Sequence, residues 1–257
     1  MSLQIGPALR SGADNLFSRT GAILLAAYIA VTAALLPLSN TMLARLYEDA
    51  GLTAATDAIP LVLDVPLAVA AGGYLVGALA GAYLSIVAMR TFVAGTGAAF
   101  PDGALSRNVP LAMANAVAGG IVYSLLIFLG SVALVVPGII AYVAFLFMLP
   151  YVAVEDRNFV DALRSSYRLS KGNWLSLFVL VLIVVSVAGF LGGVGGLFSA
   201  LLLPPAAGQL ALVVVTSPLS LLSLAVVAAA FDQLREAADS DDRSGSTSAA
   251  ETPSTPV

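Results

Sequence analysis

The sequence predicts an all-α protein: a polytopic transmembrane helix bundle of about six spans, with amphipathic helices at its cytoplasmic interface. Three observations predict it. Hydrophobic residues make up 60% of the chain and charged residues only 10%, against roughly a quarter charged in an ordinary soluble domain, and the mean hydropathy is +0.99. The charges stand between long uncharged runs, each able to supply the roughly 20 helical residues that cross a bilayer core of about 30 Å. The basic residues, moreover, cluster on alternate connections.

The first residues, Met1 to Arg19, read as an interfacial lead-in. A short helix can begin near Pro7, with Leu9, Ala13, Leu16 and Phe17 on one side. A secretory signal is the competing reading, but the apolar run from Thr20 to Leu38 is longer than a usual signal core and lacks a small-residue cleavage pattern. Six spans are then predicted: Gly21 to Leu38, Pro66 to Met89, Leu111 to Val136, Gly138 to Val154, Trp174 to Leu191 and Leu210 to Phe231.

The third and fourth come from one uncharged run and form a hairpin that turns at Val136-Pro137-Gly138. The fifth and sixth come from another run, interrupted by Gly192-Gly193-Val194-Gly195-Gly196 and by Pro204-Pro205. Five or seven spans stay open, if the fourth is re-entrant or if Leu197 to Leu203 dips into the bilayer. Pro150 and Pro218 predict kinks. Residues 1–236 form a single membrane domain, and residues 237–257 are expected to be a disordered, acidic, Ser/Thr-rich cytoplasmic tail.

Orientation follows from the basic residues, because Lys and Arg near short loops favour the cytoplasm. Six spans put every Lys and Arg except Arg45 on one side. Both termini and the central connector are therefore expected in the cytoplasm of a cell-membrane protein. Ser39 to Val65, with Glu48, Asp49, Asp57 and Asp64, becomes the external loop, holding a short helix around Thr41 to Glu48. Acids outnumber bases and the isoelectric point is near 4.6, a halophile-like composition.

The connector, residues 156–171, carries the clearest pattern. At 100° per residue Arg157, Asp161, Arg164, Arg168 and Lys171 fall within about 40° of one line on a helix, while Phe159, Val160, Leu163 and Tyr167 lie on much of the opposite side. Asn158 is the expected N-cap with Asp161 reaching back, Gly172 the left-handed stop, and Asn173 the cap of the next helix. Arg157, Arg164, Arg168 and Lys171 are the candidate contacts to anionic lipid headgroups or to an acidic partner. The plainer alternative is a solvated face between two spans.

Small residues recur every four positions on three spans: Ala22, Ala26, Ala30 and Ala34; Gly73, Gly77 and Gly81; and Ala112, Ala116, Gly120 and Ser124. In lipid such ridges let helices approach closely. They are read as intramolecular packing of the first three spans, with a homodimer seam as the alternative. Ala8-Leu9-Arg10-Ser11 recurs as Ala162-Leu163-Arg164-Ser165, each ahead of a span, a faint repeat.

Chemistry is nearly absent. With neither Cys nor His in the chain, thiolate and imidazole catalysis and nearly all zinc and haem sites are excluded. None of the six spans carries an ionisable residue at its middle, where transporters and intramembrane enzymes place them. Asn115 and Gln209 are the notable amides; Asn115 is read as an interhelical hydrogen-bonder, with coordination of a substrate as the alternative. Glu155-Asp156 is read as negative charge at a helix start rather than as a metal site. No catalytic, cofactor or metal-binding residue is assigned, no cofactor is expected, and no nucleic-acid partner.

The run Val136-Pro137-Gly138-Ile139-Ile140, then Leu149-Pro150, Val154-Glu155-Asp156, Asp161-Ala162-Leu163-Arg164-Ser165-Ser166 and Leu169-Ser170-Lys171-Gly172-Asn173-Trp174 resembles a family of uncharacterised prokaryotic six-helix membrane proteins. That family is similar to the membrane domain attached to some bacterial glycerophosphodiester phosphodiesterases and is common in haloarchaea. The resemblance implies an integral membrane protein of unknown biochemical role. It carries over no catalytic residue, because the phosphodiesterase chemistry belongs to a separate soluble domain that uses histidines. Two functions remain: a non-enzymatic membrane scaffold or subunit that meets lipids or a protein partner, and a permease or lipid-handling transporter with an uncharged pathway.

Overall fold

The computed structural model describes residues 3–133 and 135–250, and they form ten helices. These are α1 (Ile5–Leu16), α2 (Arg19–Asp49), α3 (Thr53–Thr56), α4 (Leu67–Val93), α5 (Val109–Ala133), α6 (Val135–Ala144), α7 (Met148–Val154), α8 (Phe159–Ser170), α9 (Trp174–Leu202) and α10 (Pro205–Ala250). With α6 and α7 taken as one broken helix, six are long and apolar enough to cross a membrane.

The antiparallel course is fixed by polar contacts at the two ends. At one end Ser18 caps α2 by accepting from Gly21 N at 3.0 Å, and Thr20 Oγ1 donates to Thr96 O just beyond α4 at 3.0 Å. At the other, Asn40 Nδ2 of α2 donates to Gln209 Oε1 of α10 at 2.7 Å and to Pro60 O at 2.8 Å. Gln209 thus joins α10 to α2.

Burial is concentrated at the end that holds the connector. Phe147, Met148, Tyr151, Val152, Leu177, Leu180, Val226 and Phe231 form one cluster, and Ile86, Met89, Phe92, Ala112, Leu221 and Ala225 belong to a second beside it. The ring of Phe231 lies 5.9 Å from that of Phe147 and edge-on to Tyr151 at 5.0 Å. The fourth span is the most enclosed, while the other spans turn large apolar side chains such as Leu75, Val76, Phe128 and Leu201 outward. In a bilayer those faces meet acyl chains, where their exposure costs nothing.

Several boundaries differ from the sequence expectations. The first span does not stop at Leu38: α2 runs through Pro37 to Asp49 and absorbs the short helix expected in the external loop. Proline inside a helix frees the carbonyl four residues back, here that of Ala33; one turn further on, Thr41 Oγ1 donates to Pro37 O at 2.7 Å. The third and fourth spans are not parted at Val136-Pro137-Gly138: α5 ends at Ala133, and those three residues lie inside α6, which begins at Val135. Pro137 instead occupies the first turn of α6, where its missing N–H is unneeded. The two helices then pass so close that a Cβ on Gly130 would stand 2.8 Å from Gly138 N.

The fifth span does not end before Gly192. α9 continues through all four glycines to Leu202, and the break falls at Leu203-Pro204. In lipid an opened backbone has no water to bond, so glycines weaken a helix less than they do in water. Finally, α10 runs on to Ala250, across most of the segment expected to be a disordered tail. A helix already nucleated in the last span extends without a fresh nucleation cost. Residues 251–257 lie outside the described residues.

The lead-in helix is α1, packed along α10. Its inward face is Ala8, Gly12 and Leu16, whereas Phe17, expected on the apolar side, is 86% exposed. Gly12 sits tight on α10, since a Cβ there would come within 2.6 Å of Val226 Cγ2 and 3.0 Å of Val226 N.

Candidate functional site at the connector

The site begins with the break in the fourth span. Pro150 cannot donate a backbone hydrogen bond and its ring crowds the carbonyl four residues back, and the chain turns at Phe145 to Phe147 before resuming as α7. The groups released there are met by α8. Ser166 Oγ accepts from Phe147 N at 3.0 Å and donates to Ala144 O at 2.9 Å, and Ser170 Oγ donates to Val143 O and Ala144 O, each at 3.3 Å.

The buried face of α8 is accordingly Ala162, Ser165, Ser166 and Ser170, not the apolar set Phe159, Val160, Leu163 and Tyr167. Val160 and Tyr167 are 43% and 44% exposed, and Phe159 and Leu163 are half-buried. An interfacial helix can leave such residues facing lipid, while buried serines satisfy a broken helix that apolar side chains could not.

The ends of α8 follow the sequence. Asn158 is the N-cap, its Oδ1 accepting from Asp161 N at 3.0 Å. Asn115 on α5 adds a second N-terminal acceptor, its Oδ1 taking Phe159 N at 3.0 Å. Gly172 has φ +94°. Asn173 stands at the N-cap position of α9, but its side chain makes no cap bond there; its Oδ1 instead accepts from Leu3 N at 3.2 Å.

A charged lock stands beside this assembly. Arg90, in the last turn of α4, is only 5% exposed. Its Nε donates to Ala153 O at 2.6 Å, Nη1 to Ala104 O at 3.2 Å and Nη2 to Asp156 Oδ1 at 3.3 Å. Arg107 Nε reaches Asp156 Oδ2 at 3.0 Å and its Nη2 donates to Val154 O at 2.7 Å. Two guanidiniums therefore share one carboxylate and also take the open carbonyls at the C-terminus of α7, where positive charge is favoured.

Glu155-Asp156 thus follows a helix end instead of opening a helix. Asp156, at φ +52°, is turned back towards the arginines. Among the described residues, no group of three or more acidic side chains stands ready to hold a metal.

The four candidate contact residues divide into two pairs. Arg157 folds back: Nε reaches Glu155 Oε2 at 2.7 Å, Nη1 donates to Ser165 Oγ at 2.7 Å, and the guanidinium lies 4.9 Å from the Tyr151 ring centroid. Arg168 Nη2 donates to the same Ser165 Oγ at 3.3 Å. Arg164 and Lys171 are exposed and, among the described residues, make no ion pair. On the outer side a groove of about 930 Å³ runs between α5, the broken fourth span and α8, with Val122, Phe145, Val160 and Tyr167 among its apolar lining and Arg157, Asp161, Arg164 and Arg168 as its charged residues.

The packing candidates divide as well. Gly73 and Gly77 of α4 receive Leu38 and Leu35 of α2, a Cβ on Gly77 falling 2.5 Å from Leu35 Cδ2. Gly81 and Gly120 have open space where a Cβ would stand, while Ala112 is buried and Ala116 half-buried. Ala22, Ala26, Ala30 and Ala34 are all exposed, so the expected ridge of the first span is not its seam with α4. Leucines of α2 seated on glycines of α4 make that contact.

The profile of a family described as a domain of unknown function, DUF7847, matches residues 3–234. The chain belongs to this family. The match takes in the DUF7847 bundle from the anchored start of α1 to Leu234 on α10, and so includes the lock, the connector and its groove. No curated protein and no solved structure matches the DUF7847 chain.

Proposed function

We propose that this DUF7847 protein is a non-enzymatic membrane component that holds anionic lipid at its connector, on the cytoplasmic leaflet, as part of a scaffold or subunit role. The observation that carries the reading is the outer groove, which combines an apolar lining with the exposed Arg164, a residue that makes no ion pair among the described residues. An acyl chain fits the lining and a negatively charged headgroup fits Arg164, the combination that interfacial helices use to hold anionic lipid. The buried charges support a structural role for the rest of the site: Arg90 and Asp156 are engaged with each other, with Arg107 and with backbone carbonyls.

Native mass spectrometry of the full chain released from its own membrane tests the reading. Wild type is expected to carry phosphatidylglycerol-type or other anionic lipid above its share of the membrane. Val160→Asp with Arg164→Glu should insert normally and lose that enrichment. Lipid adducts that mirror the bulk membrane, or enrichment that survives the double substitution, would overturn it.

A further inference from the structure

On its inner side α8 bounds a second cavity, of about 490 Å³, lined by Tyr151, Arg157, Ser165, Arg168, Lys171 and, from α10, Leu234. Here Arg157 and Arg168 converge on one neutral oxygen, Ser165 Oγ, at 2.7 and 3.3 Å, and Ser165 is only 4% exposed. Like charges brought this close repel, all the more beside a low-dielectric wall. Glu155 offsets one of them by taking Arg157 Nε at 2.7 Å; among the described residues no carboxylate bonds to Arg168 or Lys171.

We infer that this cavity binds the dianionic phosphate of a phosphomonoester. Two uncompensated positive charges call for a ligand with two negative ones, and guanidinium forks match phosphate oxygens geometrically. Arg157 is already held in place by Glu155 and by the face of Tyr151, so little ordering cost remains when an anion arrives. The volume exceeds that of a bare phosphate and lies in the range of small-molecule sites, leaving room for an organic group along Leu234. The cavity shares Arg157 and Arg168 with the outer groove, whereas Tyr151, Lys171 and Leu234 line this cavity and not the groove. The monoester is supplied either by a lipid headgroup such as phosphatidic acid or by a soluble organic phosphate.

The full chain, titrated with phenyl phosphate in detergent and placed in phosphatidylcholine nanodiscs doped with phosphatidic acid or with phosphatidylglycerol at matched charge, separates these sources. Trp174, the chain's one tryptophan, is the sequence neighbour of Asn173, which lines the cavity, and reports binding by its fluorescence. A saturable response to phenyl phosphate assigns a soluble ligand; a response to phosphatidic acid alone assigns a lipid. Either response should weaken tenfold or more in Arg168→Gln and severalfold in Lys171→Gln, an exposed position that leaves the core untouched, and should persist in Arg10→Gln on α1. Equal responses to phosphatidic acid and phosphatidylglycerol, no response in any arm, or titrations of both cavity variants that match wild type would overturn the inference.

Discussion

Arg90 is the residue on which the connector end depends, and Asp156 is what makes its burial tolerable. Asp156→Asn keeps the side-chain shape, and Asn accepts the left-handed backbone at φ +52°, so the substitution isolates the charge. It should lower stability by about 1–3 kcal/mol, read as an earlier thermal transition of the protein in detergent; an unchanged transition would mean that the carbonyls of Ala153 and Ala104 suffice. Glycines supply a second contrast. Gly12→Ala drives a methyl against the backbone of Val226 and should cost about 1–3 kcal/mol, whereas Gly81→Ala meets open space and should be neutral or stabilising by up to about 1 kcal/mol. Neither difference was legible in the sequence. Gly12 stood outside every small-residue ridge, and Gly81 continued one. Arg90 followed an apolar run like any flanking charge, because its partners, Ala104, Ala153 and Asp156, lie far along the chain and two of them offer only carbonyls.

At the scale of elements, α8 shows where periodicity helps and where it misleads. Its limits were readable, since Asn158 and Gly172 are local signals that act through their own backbone. Its inward face was not. Pattern alone favours burying Phe159, Val160, Leu163 and Tyr167, but the break before Pro150 leaves backbone groups that need hydroxyl partners, and Ser166 and Ser170 answer that need. The signal present in the sequence was the pair of facts together: a proline late in the fourth span, and serines at four-residue spacing in the helix that follows. Ser166→Ala removes both an acceptor for Phe147 N and a donor to Ala144 O, and should destabilise the protein by about 1–3 kcal/mol. Hydrogen exchange should show the loss concentrated at Phe145 to Met148; an effect spread evenly over the bundle would contradict this role. The repeat seen in the sequence has a structural counterpart, as Ala8 and Ala162 are both fully buried while Arg10 and Arg164 are both exposed.

For the whole molecule, the six-helix layout was legible because hydropathy and length suffice to find a membrane helix. Loops were less so: in lipid the backbone stays helical through Pro37 and through Gly192 to Gly196, where turn chemistry learned from soluble proteins predicts breaks. What the bundle builds is an asymmetric object. One end joins the lock, the connector and two cationic cavities, and the other carries Arg45 already paired with Glu48 at 3.0 Å and Asp64 at 3.4 Å. In the proposed role the charged end lies in the cytoplasm, where its groove meets anionic lipid. The measurement that tests it most directly is labelling of single cysteines in intact cells with a membrane-impermeant maleimide, for which this chain, having no cysteine, needs no prior substitution. Asp57→Cys should label from outside and Lys171→Cys only after the membrane is opened. Labelling of Lys171→Cys in intact cells with Asp57→Cys protected would contradict the orientation, and with it the lipid-holding role of the connector.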